Sequence, residues 1–77
     1  MKVYDLVKKI DERNDIRNIF CVDENDNVVA DFKYIDIAYS GIKFLKQWSY
    51  VMNYTVKSFI VREMPYENYS TMAIYIK

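Results

Sequence analysis

Asp23, Asn25 and Asn27 alternate at the spacing of the first three oxygen ligands of a helix–loop–helix calcium site. Such a loop needs a glycine next, for its sharp turn, and a bidentate glutamate at its close. Here those two positions hold Val28 and Tyr34. Neither can do the job, and the residues before Asp23 read as a strand. Asn and Asp tolerate left-handed backbone and hydrogen-bond to their own turns, so the stretch 23–27 is expected to be the tip of a hairpin.

Other chemistry is poorly supported by residue type, and an enzyme would need a cofactor or a site shared between subunits. The chain has no histidine, which removes the commonest general base near neutral pH. Cys21 therefore has no imidazole to activate it. It falls inside an expected strand and reads as a structural thiol. Ser40, Ser49, Ser58 and Ser70 sit in no nucleophile-elbow context. Gly41 is the sole glycine, so no glycine-rich phosphate loop can form. Metal clusters of Cys and His are excluded by count. No enzyme, cofactor or metal is expected.

Binding remains. Aromatic residues make up 17% of the chain and eight are Tyr. The stretch YSGIKFLKQW interleaves aromatics with lysines, as single-strand binders of nucleic acid do. Helical spacing, however, sends Phe44 and Trp48 to the core side, away from Lys43 and Lys46. Lys plus Arg equals Asp plus Glu at 11 each, so no basic excess favours a phosphate backbone. A small nucleic-acid or nucleotide binder, using Lys43, Lys46, Tyr50 and Lys57, is the alternative expectation.

The elements that must carry these groups follow from periodicity. Val3, Leu6, Val7 and Ile10 recur at helical spacing, with Asp5 and Lys9 as an i,i+4 pair, predicting a helix from about Val3 to Glu12. IRNIFCV and VVADFKY alternate at period two around the 23–27 turn and predict a hairpin. In YIDIAYSGIKFLKQWSYVM the period returns to that of a helix, with Ile42, Leu45, Trp48 and Met52 on one side. Its start lies between Asp36 and Ser40, either of which can cap. YTVKSFIVRE reads as a strand, MPYENY as a loop and STMAIYIK as a final strand. At 77 residues one domain is expected, spanning 1–77. The fold class is α+β, a two-layer arrangement in the order α-β-β-α-β-β. Two helices lie on one face of a mainly antiparallel four-stranded sheet.

That architecture raises a question of cover. With the helices over Phe20, Val28, Phe32, Ile60 and Ile74, the opposite face carries Ile19, Cys21, Val29, Phe59, Val61 and Tyr75. It is diluted only by Arg17, Asp31, Lys33 and Lys57. An open antiparallel face is normally polar, so this one is expected to bind a partner or a second copy. The expected contacts are Ile19, Phe59, Val61 and Tyr75, with Tyr66 and Tyr69 at the rim. A loop at 63–70 folding over the face is the competing expectation.

A lone cysteine and charges within MKVYDLVKKID, where a secretory signal would be apolar, point to the cytoplasm. The bias toward Lys, Asn, Ile and Tyr, with three Ala, one Gly and one Pro, matches AT-rich codons of a low-GC bacterium or its mobile elements. VYDLVKKI at the start, with VKSFIV and MAIYIK near the end, resembles small α+β proteins carried by phages of such bacteria. The opening also resembles one group of phage anti-CRISPR proteins. The resemblance covers the first dozen residues and the order of elements, and no functional motif transfers. It implies a protein of the host cytoplasm that binds a host defence protein. Acid-rich mimicry of DNA is not the implied route, because this chain is neutral. The expected function is a small non-enzymatic protein-interaction module, an inhibitor encoded by a phage or mobile element. Its partner would be a host protein or a second copy, not a membrane.

Overall fold

The computed structural model describes residues 1–10, 16–63 and 69–77, with backbone alone at 42, 44 and 45. The elements are α1 (Val3–Val7), β1 (Ile16–Val22), β2 (Val28–Lys33), α2 (Tyr34–Gln47), α3 (Ser49–Met52), β3 (Val56–Glu63) and β4 (Ser70–Ile76). The strands form one sheet in the order β2-β1-β4-β3. The hairpins β1–β2 and β3–β4 are antiparallel, and β1 and β4 join them as a parallel central pair. The sheet is therefore mixed. The expected α+β order holds, with the middle helical region divided into α2 and α3.

Helix α1 starts where the Asp5 carboxylate accepts the Lys2 backbone N–H at 3.1 Å. That bond, helped by the charge of Lys8, holds the Asp5 carboxyl below its usual pKa, against a smaller opposing effect of desolvation. Asp5 reaches Lys8, at 3.8 Å, and not the expected Lys9. The Lys9 and Ile10 N–H groups donate to Leu6 and Val7, three residues back, so the coil tightens beyond Val7. The predicted end at Glu12 lies outside the described residues.

Helix α2 begins earlier than expected. The Asp36 carboxylate accepts the Lys33 backbone N–H at 3.3 Å, so Asp36 serves from the third position of the first turn. Ser40 lies inside the helix and caps nothing at its start. At Gly41 the backbone turns to φ 49°, ψ −122°, which bends the helical path. Only glycine takes that conformation without strain. Trp48 separates α2 from α3, and its ring packs against Phe32 at 5.9 Å and Tyr50 at 5.8 Å between centroids.

The core lies between the helices and one sheet face. It comprises Val3, Leu6 and Val7 of α1, Val51 and Met52 of α3, and Ile16, Ile19, Cys21, Ala30, Phe32, Met72, Ile74 and Ile76 of the sheet. Cross-strand partners share a face, so register reveals the sides directly. One row runs Phe32, Ile19, Met72, Val61, and the next runs Ala30, Cys21, Ile74, Phe59. These rows form the helix-bearing face. The other face carries Asp31, Phe20, Ala73 and Ile60 in one row and Lys33, Asn18, Thr71 and Arg62 in another.

This corrects the expected distribution of faces. Ile19 and Cys21 point under the helices and are 0% exposed, while Phe20 is half-buried on the open side and Val28 is exposed. Phe59 and Val61 share the helical side with Ile74, and Ile60 is opposite. Alternation separates two sets of residues in each strand without saying which set faces inward. Three register shifts compound the difficulty, at Ile16/Asn18, at Cys21/Val22 and at Val56/Ser58. Each inserts one extra residue into one strand of a pair, so the facing of that strand does not follow from alternation alone. The open face is consequently a mixture of polar and apolar groups.

Candidate functional site

Three consecutive exposed apolar residues lie on an edge, where β3 ends the sheet. All but the first of its residues are exposed, on both faces. At its centre Phe59, Ile60 and Val61 are 48%, 43% and 44% exposed. The reason is positional. Helix α2 packs on β1 and β2, at the far side of the sheet, and the core under α1 and α3 reaches β4. Phe59 and Val61 lie on the helical side but beyond its cover.

Edge strands present unpaired N–H and C=O groups and usually carry charges, bulges or proline that discourage pairing. Strand β2 follows this pattern, with Asp31, Lys33 and a bulge opposite Cys21 and Val22. Strand β3 carries such devices too, a bulge at Lys57 and the charges of Lys57, Arg62 and Glu63, but they flank an apolar centre. No ion pair links them to another described residue. The outer edge is partly occupied at its start. Lys2 bridges Thr55, the Val3 N–H donates to the Tyr54 carbonyl, and the Val56 N–H donates to the Met1 carbonyl at 2.8 Å. Among the described residues no strand lies beside 57–63 on that side.

Of the six partner contacts expected from sequence, Phe59 and Val61 are on this edge. Ile19 is core and cannot touch a partner, which corrects its assignment. Tyr75 is half-buried on the open face, in the row of Ser58. Tyr69 is half-buried beneath the Arg17 guanidinium, 5.1 Å from its ring centre. Tyr66 and most of the loop once expected to cover the face lie outside the described residues. Ile60 was missed. The signal is three consecutive large apolar residues, which in a sheet covered on one face only cannot all be buried by the helices.

The alternative set is dispersed over three elements. Lys43 and Lys46 are exposed on α2, Tyr50 on α3 and Lys57 on β3. A different cationic and aromatic group is assembled elsewhere. Arg17, Lys33, Tyr34, Tyr39 and Tyr69 line an open groove of about 880 Å³ beside the first half of α2.

The polar tip of the first hairpin is built by Asp23. Its Oδ1 accepts the N–H groups of Asn25 and Asn27, both at 2.9 Å, and its own N–H donates to the Asn27 carbonyl. Asp26 takes φ 63°. The acidic residues thus close a turn. Cys21 is 0% exposed and desolvation pushes its thiol up to about 11, which keeps it protonated and unreactive at neutral pH. No helix among the described residues is long and apolar enough to cross a membrane.

No protein-family model matches this chain, and no curated protein or solved structure matches it either.

Proposed function

We propose that this chain is a non-catalytic protein-interaction module whose docking element is the β3 edge. The observation that carries this reading is the half-exposed run Phe59–Ile60–Val61 on an outer strand, with no described strand beside 57–63 on its outer side. A strand added there gains main-chain hydrogen bonds, and the alternating side chains above and below provide selectivity. The AT-rich residue bias and the phage-like opening helix favour a setting in which the module inhibits a host defence protein.

Photo-crosslinking in cells tests the reading. A photoreactive residue at Ser58 should give discrete protein adducts, and one at Glu24 on the remote hairpin tip should not. Equal labelling from both positions, or none from Ser58, would overturn it.

A second reading rests on the groove. Arg17 and Lys33 offer two cations beside Tyr34, Tyr39 and Tyr69. Cations interleaved with aromatic faces suit a nucleotide or a short single strand. Filter binding across a salt series decides it: phosphate contacts predict affinity falling steeply with added salt, and no retention at low salt ends this reading.

A further inference from the structure

The edge strand is self-complementary. Resting on the docking role just proposed, we infer that its occupant is a second copy of this chain. Strand β3 pairs antiparallel with its own counterpart about a two-fold axis through Ile60.

Two independent features select that centre. The first is the extent of the free edge. Met1 takes the position beside Val56, and β3 ends at Glu63. The open window is therefore 57–63, with Lys57 at the bulge that follows Val56, and its midpoint is Ile60. The second is the order of side chains in VKSFIVRE. Antiparallel strands related by a two-fold normal to the sheet keep opposed residues on the same face, so the axis must pass through a residue. Centred on Ile60, Lys57 opposes Glu63 of the second copy, Ser58 opposes Arg62, Phe59 opposes Val61, and Ile60 opposes itself. The symmetry repeats each pair, giving two opposite-charge pairs and two aromatic–aliphatic pairs, the combinations that stabilise sheets. A centre at Phe59 would set Lys57 against Val61. A centre at Val61 would set Phe59 against Glu63 and Ile60 against Arg62. Both oppose charge to apolar groups.

The resulting sheet has eight strands and carries the helices of both copies on one side. Phe59 and Val61 fill the seam between the two helical layers, where each lone copy leaves them half exposed. The arrangement closes at two copies, because each β3 consumes the other and the remaining edge, β2, is defended by Asp31, Lys33 and its bulge.

Sedimentation equilibrium of the full chain at low salt, with charge-swapped variants, tests this. Wild type should be a dimer. Lys57→Glu and Glu63→Lys each create two like-charge oppositions and should weaken dimerisation about tenfold or more. The double variant should recover to within about threefold of wild type. All three should keep the wild-type circular dichroism spectrum, since these side chains have no described partner. Cysteine crosslinking reads the register. Opposed α-carbons lie about 4.5–5.5 Å apart, within disulfide reach, so Ile60→Cys should oxidise readily to a covalent dimer. Ser58→Cys should not, and Cys21 is too buried to interfere. A monomeric wild type up to about 0.5 mM, a double variant as weak as the singles, or equal crosslinking at both positions would overturn the pairing. Monomers that still give foreign adducts from Ser58 would leave the docking reading standing and end this one. Monomers without adducts would end both.

Discussion

Phe59 and Ile74 sit directly opposite each other across the β3–β4 pairing, yet Ile74 is fully buried and Phe59 is 48% exposed. One strand's width marks the limit of the helical cover. Substitutions at the two positions should therefore separate stability from association. Ile74→Ala should cost about 2–5 kcal/mol by chemical denaturation of dilute protein. Phe59→Lys should cost about 1 kcal/mol while weakening dimerisation, because only part of the ring is removed from water in a single copy. A Phe59→Lys variant that fails to fold would place that ring in the core.

The thiol of Cys21 makes stability depend on alkaline pH. Burial raises its folded-state pKa to about 11 from an ordinary value of 9.0. Below pH 9.0 both states hold the proton and Cys21 adds no slope. Above it the unfolded chain loses the proton first, so stability falls as pH rises toward 11. The informative quantity is a difference between two proteins. The stability of wild type relative to Cys21→Ala should be flat near neutrality and shrink between pH 9 and 11 in denaturant titrations.

Asp23 holds the first hairpin through two backbone N–H groups. Asp23→Ala removes both acceptors from an exposed turn, where water partly replaces them. The expected loss is about 0.5–2 kcal/mol, read as a lower thermal midpoint. Amide exchange should quicken in Asn25 and Asn27, leaving β3 and β4 little changed.

Gly41 tests the bend in α2. A β-carbon there would meet nothing within 4 Å, so space is not the constraint. The backbone is, since φ 49° with ψ −122° strains any side-chain-bearing residue. Gly41→Ala should lower stability by about 1–3 kcal/mol despite the higher helix propensity of alanine. A gain in stability would mean that the helical path runs straight through residue 41.

The strands and the first turn were legible because their signals are local. Alternation marked Ile16–Val22 to the residue and Ser70–Ile76 to within one residue at its end, and the self-bonding chemistry of Asp23 identified the hairpin tip. Three features were not legible. The parallel β1–β4 pairing joins segments far apart in sequence and leaves no local trace. The inward phase of β1 was ambiguous because Ile19 and Cys21 on one side are as apolar as Phe20 and Val22 on the other. The glycine in α2 read as an ordinary early helical residue, since composition does not report a sign of φ. Of the candidate site, Phe59 and Val61 were found from their apolar character, but for the wrong face. The edge position of β3, which makes them accessible, depends on strand order.

The parallel seam between β1 and β4 has a kinetic consequence. Each hairpin can zip locally within microseconds, but neither owns a complete core. Ile19 and Ile74, buried together at the centre, meet only when two segments separated by most of the chain find each other. The loop entropy of that encounter is spent before the burial that rewards it. Docking of the two preformed hairpins, not the making of either, should therefore limit the folding rate. Until it happens, the inner borders of both hairpins stand open to strand exchange between chains.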